Sequence, residues 1–139
     1  RTWSTIALDA RLTTLLSAVD QWSTALRTGI AANKKAYTTA FNATRTYWQA
    51  PMDKDLYDMA YQVKRNVSSA SLQATSQAVM DAVSSAVLFE RHVPSYAGSH
   101  GITIYHPSKA SQKLDHDYYR TLDFSLTTGW DEFLDAWTP

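Results

Sequence analysis

Helical periodicity dominates the pattern of apolar and polar positions in this chain. Leu12, Leu15, Leu16, Val19, Trp22 and Leu26 recur at three- and four-residue spacing, which predicts an amphipathic helix with one face in a core. Asp9 stands at its N-cap position, and Thr28-Gly29 reads as its end. A second helical stretch, about residues 30–48, is more polar but carries Tyr37, Phe41 and Tyr47-Trp48. Ala50-Pro51 breaks it. Asp53 or Asp55 opens a third helix with Leu56, Met59, Ala60 and Val63 on one face. Residues 66–71 are a polar connection. Leu72, Val79, Val83, Ala86 and Val87 mark a long fourth helix, so that helices are expected from about residue 10 to about residue 88.

Strand patterns occur in two places. In residues 3–8, Ile6 and Leu8 fall on one face and Trp3, Thr5 and Ala7 on the other, which suits burial on both sides. Residues 102–106 form the second strand, closed by Pro107. Pro94, Gly98 and Gly101 punctuate the loop before it. A polar loop follows, and aromatics then crowd residues 117–137: Tyr118, Tyr119, Phe124, Trp130, Phe133 and Trp137. Thr128 with Asp131 has the spacing of an acidic capping box before a short last helix. Two lone strands are marginal in water. Either they complete a larger sheet whose other strands lie on another polypeptide, or they pair with each other on the helices.

Composition narrows the partners. The 139 residues are 45% hydrophobic and 19% charged, which is globular composition of about one domain. Thirteen basic and thirteen acidic residues cancel, so neither nucleic acid nor an anionic membrane has an electrostatic footprint to meet. No apolar stretch approaches the ~20 residues that span a bilayer. There is no cysteine, hence no disulfide, no thiolate metal site and no thiol nucleophile. The chain opens on Arg1 without a signal-peptide pattern, as expected of a chain that begins after processing or of a cut piece.

Candidate chemistry is sparse. No serine sits in a Gly-x-Ser-x-Gly elbow, and His92, His100, His106 and His116 form no His-Glu-x-x-His pattern. His116 lies between Asp115 and Asp117, where a hard ion or zinc is conceivable and a solvated acidic loop is the plainer reading. Calcium would accept Asp53, Asp55 and Asp58. Their spacing fits no known loop, and acids at a helix start favour the macrodipole anyway. No cofactor ligand can therefore be named. The aromatic cluster reads as core that docks the chain end.

The last third carries a resemblance. Gly101-Ile102-Thr103-Ile104-Tyr105-His106-Pro107 resembles the Gly-hydrophobic-Ser/Thr-Ile-Tyr-Phe-Pro strand of clostripain-like cysteine peptidases. Residues 117–124, ending Thr121-Leu122-Asp123-Phe124, and then Thr128-Gly129-Trp130-Asp131-Glu132-Phe133-Leu134 resemble the steps that follow it in that family. Upstream, Ser4-Thr5-Ile6-Ala7-Leu8-Asp9 is similar to the family's Thr-Ile-Ser-Ala-Ile-Asp strand and turn. Asp55-Leu56-Tyr57-Asp58-Met59-Ala60 is similar to its Asp-Leu-Tyr-Asp-Phe-Ala helix start. The segments keep the family's order. His106 departs from the usual aromatic before proline.

The resemblance implies an α/β fold: a helix-rich C-terminal portion contributing two strands to a caspase- or gingipain-like sheet. It implies a cysteine endopeptidase cleaving after Arg or Lys. The Cys/His dyad would lie on a partner chain, the upstream part of the same precursor. No catalytic residue falls in this chain, and a secreted or cell-envelope setting is favoured. If residues 3–8 run parallel to the catalytic strand, Asp9 sits at the carboxyl end of the sheet, where ligands bind. There it can attract a basic substrate side chain. Its plain reading is an N-cap worth ~1 kcal/mol. The isolated chain is expected to be inactive and poorly folded. The rival reading is a non-catalytic helical interaction or scaffold module; a third is an inactive homologue whose partner lacks the dyad.

Overall fold

The computed structural model describes residues 2–6, 10–47, 50–92, 94, 98–108 and 116–137. In chain order the elements are β1 (Thr2–Ile6), α1 (Ala10–Ala43), β2 (Thr46–Tyr47), β3 (Ala50–Asp55), α2 (Leu56–Asn66) and α3 (Ala70–Ala86). Then come β4 (Val87–His92), β5 (Thr103–Tyr105), α4 (His116–Tyr119), α5 (Asp123–Thr128) and α6 (Trp130–Trp137). The chain is helix-rich with small antiparallel sheets.

The first two expected helices are one. α1 runs 34 residues without a break at Thr28-Gly29, about 50 Å at 1.5 Å per residue. Gly29 lies inside the helix rather than at its end. A Cβ there would stand 3.4 Å from Leu72 Cδ1, at the start of α3. Glycine costs ~1 kcal/mol inside a helix, and α1 continues through it while packing on α3. α1 ends at Ala43, short of the predicted residue 48, and Tyr47 belongs to β2. Pro51 lies in β3, where the β2–β3 register shifts. An irregular ladder tolerates a residue with no amide donor.

α2 and α3 follow their sequence signals closely. Asp55 caps α2, its Oδ1 accepting the Asp58 amide at 2.9 Å. Leu56, Met59, Ala60 and Val63 are all buried. Ser69 caps α3 through the Leu72 amide, and α3 stops at Ala86, where Val87 opens β4.

The strands differ most from expectation. β1 pairs antiparallel with β4, from Thr2 opposite His92 to Ile6 opposite Val87. The first predicted strand is thus neither parallel to its observed neighbour nor paired with the second. β5 pairs antiparallel with β3 instead, Lys54 opposite Ile104. β2, β3 and β4 were not predicted. β2 and β3 are short and polar, and Val87-Leu88-Phe89 follows a helical pattern so closely that it reads as its last turn. The predicted Thr128–Asp131 capping box does not form. Thr128 is the last residue of α5 and donates back to the Phe124 carbonyl at 2.6 Å, and the helix stops at Gly129 with φ 62°.

The core lies where α1 meets α2, α3 and α6. Trp22 and Trp130 are fully buried and stacked, centroids 5.4 Å apart. Trp22 Nε1 donates to the buried Ser76 hydroxyl at 2.9 Å. These helices close a core of their own among the described residues.

Candidate functional site: a clamped histidine beside a polar cleft

His106 is the first histidine with unusual surroundings, and it is core. It has no solvent exposure. Tyr37, Phe41, Trp130, Phe133 and Trp137 surround it with centroids 4.4–6.2 Å away. Its Nδ1 faces the Pro107 carbonyl at 3.3 Å and its Nε2 meets the Tyr37 hydroxyl at 2.6 Å. Those neighbours select the Nδ1–H tautomer, with Nε2 accepting from Tyr37. Burial drives its pKa down to about 3, the Pro107 carbonyl opposing and the Lys54 charge assisting. Lys54 is itself buried and donates to the Phe41 carbonyl at 3.1 Å, with its ammonium 4.1 Å from the Phe41 ring. It supplies the positive charge that the last turn of α1 lacks. Desolvation lowers its pKa, while Asp58 pulls it back up. With no access from solvent, this cluster holds structure together.

His100 is different, being 31% exposed against a fully buried Asp55. Its Nδ1 lies 3.0 Å from Asp55 Oδ1, and its backbone amide donates to Asp55 Oδ2 at 2.8 Å. The Tyr57 ring stacks on the imidazole at 4.1 Å and 20°. One carboxylate thus caps α2 and clamps the loop that leads into β5. Burial pushes the Asp55 pKa up, but hydrogen bonds from the His100 ring and from the Asp58 and His100 amides outweigh it and hold the carboxyl below its ordinary value. A further tie joins the two segments, the Leu56 amide donating to the Ile102 carbonyl at 3.0 Å.

The clamp forms one wall of a cleft of about 810 Å³. Arg45, Tyr57, Asp58, Tyr61, Met80 and His100 face it. The volume falls in the range of small-ligand sites. Asp58 is occupied by its neighbours, Oδ2 taking the Arg45 amide at 2.6 Å and Oδ1 facing Gln62 Nε2 at 3.5 Å. A carboxylate-oriented imidazole at a cleft wall can hold a ligand or move a proton. Binding is the chemistry for which the described residues of this cleft are best arranged.

Asp55→Ala is expected to cost about 2–4 kcal/mol, adding a lost N-cap of ~1 kcal/mol to lost hydrogen bonds on a charged acceptor. The loss should be full at pH 7. It should shrink below about pH 4, since a carboxyl with a depressed folded pKa contributes above its unfolded value and stops contributing once protonated. Urea melts of both proteins at pH 7 and pH 3 check this.

Of the residues singled out from sequence, Asp9 lies outside the described residues. Asp55 and Asp58 come together, but as cap and clamp; among the described residues no group of three potential ligands is placed to hold a metal ion. His100, Arg45 and Tyr57 were not singled out as a group. The signals were a Gly98-Ser99-His100-Gly101 loop and an Asp-Leu-Tyr-Asp helix start, 45 residues apart. In comparisons with family models, with curated proteins and with solved structures, the chain finds no match.

Proposed function

We propose that this chain is the C-terminal, non-nucleophilic part of a clostripain-like cysteine endopeptidase that cleaves polypeptides after Arg or Lys. The Cys/His dyad lies on a partner chain, the upstream part of the same precursor. A Cys thiolate activated by His attacks the scissile carbonyl there, and this chain completes the fold that holds the site rigid. The observation that carries the reading is convergence. Three of the segments that resemble the family, far apart in sequence, bond to one another around β5: Leu56 to the Ile102 carbonyl, and Trp130 Nε1 to the Tyr105 carbonyl at 2.7 Å. Their apolar positions, Leu56, Met59, Ile104, Trp130, Phe133 and Leu134, are buried together. Among the described residues β1 pairs only with β4, which leaves an edge for a further strand. Asp9 remains the proposed contact to a basic substrate side chain.

A second reading has its own observation. The self-contained core of α1, α2, α3 and α6 suits a non-catalytic helical scaffold. Folding of the chain alone does not separate the two. Intact mass and thiol-blocked activity of the natively purified protein do. The peptidase reading expects a co-purifying chain containing Cys and His, and cleavage after Arg or Lys that iodoacetamide abolishes. A single 15.6 kDa species with no thiol-dependent cleavage sinks it. In an active preparation, Asp9→Asn with an unchanged specificity constant would remove Asp9 from the substrate site.

A further inference from the structure

The cleft beside the His100 clamp contains a cation, Arg45, that makes no side-chain ion pair among the described residues. A Cβ on Gly98 would stand 2.5, 3.0 and 3.1 Å from Nη2, Cζ and Nε of Arg45. Three guanidinium atoms so close to one point mean that the group lies across the Gly98 backbone. Among the described residues, the polar contacts of Arg45 come from its backbone: its amide donates to Asp58, and its carbonyl accepts from the Asp55 amide. The guanidinium itself faces the cleft. Asp58 shares the cleft wall, its carboxylate turned to the Arg45 amide and Gln62, while Asp55 is buried under His100. Tyr57 and Tyr61 stand four residues apart on α2 and share a face. Tyr61 is 40% exposed, and Met80 is buried at the cleft floor.

From this arrangement we infer that the cleft binds a carboxylate carried on a polypeptide beside an aromatic or apolar residue. The planar fork of Arg45 takes the carboxylate through paired N–H···O bonds. The Tyr57 and Tyr61 rings take the apolar neighbour, and the Asp55 clamp keeps the His100–Tyr57 stack in place. Glycine at position 98 is what lets the fork lie where it does. The carboxylate can belong to a Glu or Asp side chain or to a free C-terminus. The inference stands on the cleft alone and holds under either functional reading.

Calorimetric titration of the intact protein tests it with acetyl-Glu-Phe-amide, with acetyl-Ala-Phe bearing a free C-terminal carboxylate, and with neutral acetyl-Gln-Phe-amide. At least one acidic peptide is expected to bind and the neutral one to be at least about tenfold weaker, as loss of one charge-assisted pair implies. The acidic peptide that binds identifies the source of the carboxylate. Arg45→Gln should weaken that peptide about tenfold, and Gly98→Ala should weaken it by displacing the fork while thermal stability stays unchanged. Lys64→Gln, on the exposed face of α2, should leave binding as it is. Equal binding of the neutral peptide, no binding of either acidic peptide, equal displacement by inorganic phosphate, or full binding by the Arg45→Gln protein would each overturn the inference.

Discussion

Trp130→Ala is expected to remove about 4–5 kcal/mol of stability, a large share of what a domain of this size has to lose. Trp130 is fully buried, stacks on Trp22, tilts against Phe133 at 5.0 Å and meets His106 edge-on at 5.5 Å. Its indole N–H also donates to the Tyr105 carbonyl in β5. Truncation therefore opens a large cavity between α1 and α6 and removes the bond that ties α6 to the sheet. At roughly 4 °C per kcal/mol the melting temperature should fall by about 15–20 °C. Trp130→Phe keeps an aromatic ring and loses the donor, so a smaller cost of about 1–2 kcal/mol is expected. Urea midpoints of the two variants decide the matter. If the alanine variant loses under 1 kcal/mol, the paired tryptophans are not the centre of the core.

The contrast between legible and illegible parts follows from how far apart the causes lie. α2 could be read because all of its signals are local: Asp55 at the cap, then Leu56, Met59, Ala60 and Val63 at helical spacing. Gly29 could not, because α1 runs through it while packing on other helices far away in the sequence. β4 was hidden by continuity with α3, and β2 and β3 by their polarity and by Pro51, whose place depends on a register shift. The cleft needed Arg45 and Gly98 to be adjacent, and neither residue hints at the other in the sequence. His106 read as a departure from an aromatic position. Its partner Tyr37 is 69 residues away, and only the fold turns a polar residue into the centre of an aromatic cluster.

That buried imidazole carries the second large prediction. Its folded pKa is depressed from the ordinary histidine value to about 3. Between those values the unfolded chain holds a proton that the native protein excludes. Stability should therefore be intact near pH 7 and fall as pH drops through about 6.5 toward 3, with a limiting slope of ~1.4 kcal/mol per pH unit. His106→Phe alone would strand the buried Tyr37 hydroxyl, so the informative protein is His106→Phe with Tyr37→Phe, which replaces both partners of the bond and should be near neutral at pH 7.5. At pH 4 it should exceed the wild type by roughly 3 kcal/mol. Asp131 acts in the opposite sense: burial first, then Glu132 beside it, pushes its carboxyl up to about 6, so its contribution grows as pH falls. Both proteins carry Asp131, and the difference between their curves isolates the imidazole. Denaturant midpoints from pH 8 to pH 4 give that difference directly. Parallel curves would mean that the native state opens to let His106 charge, and that the aromatic cage is looser than its geometry.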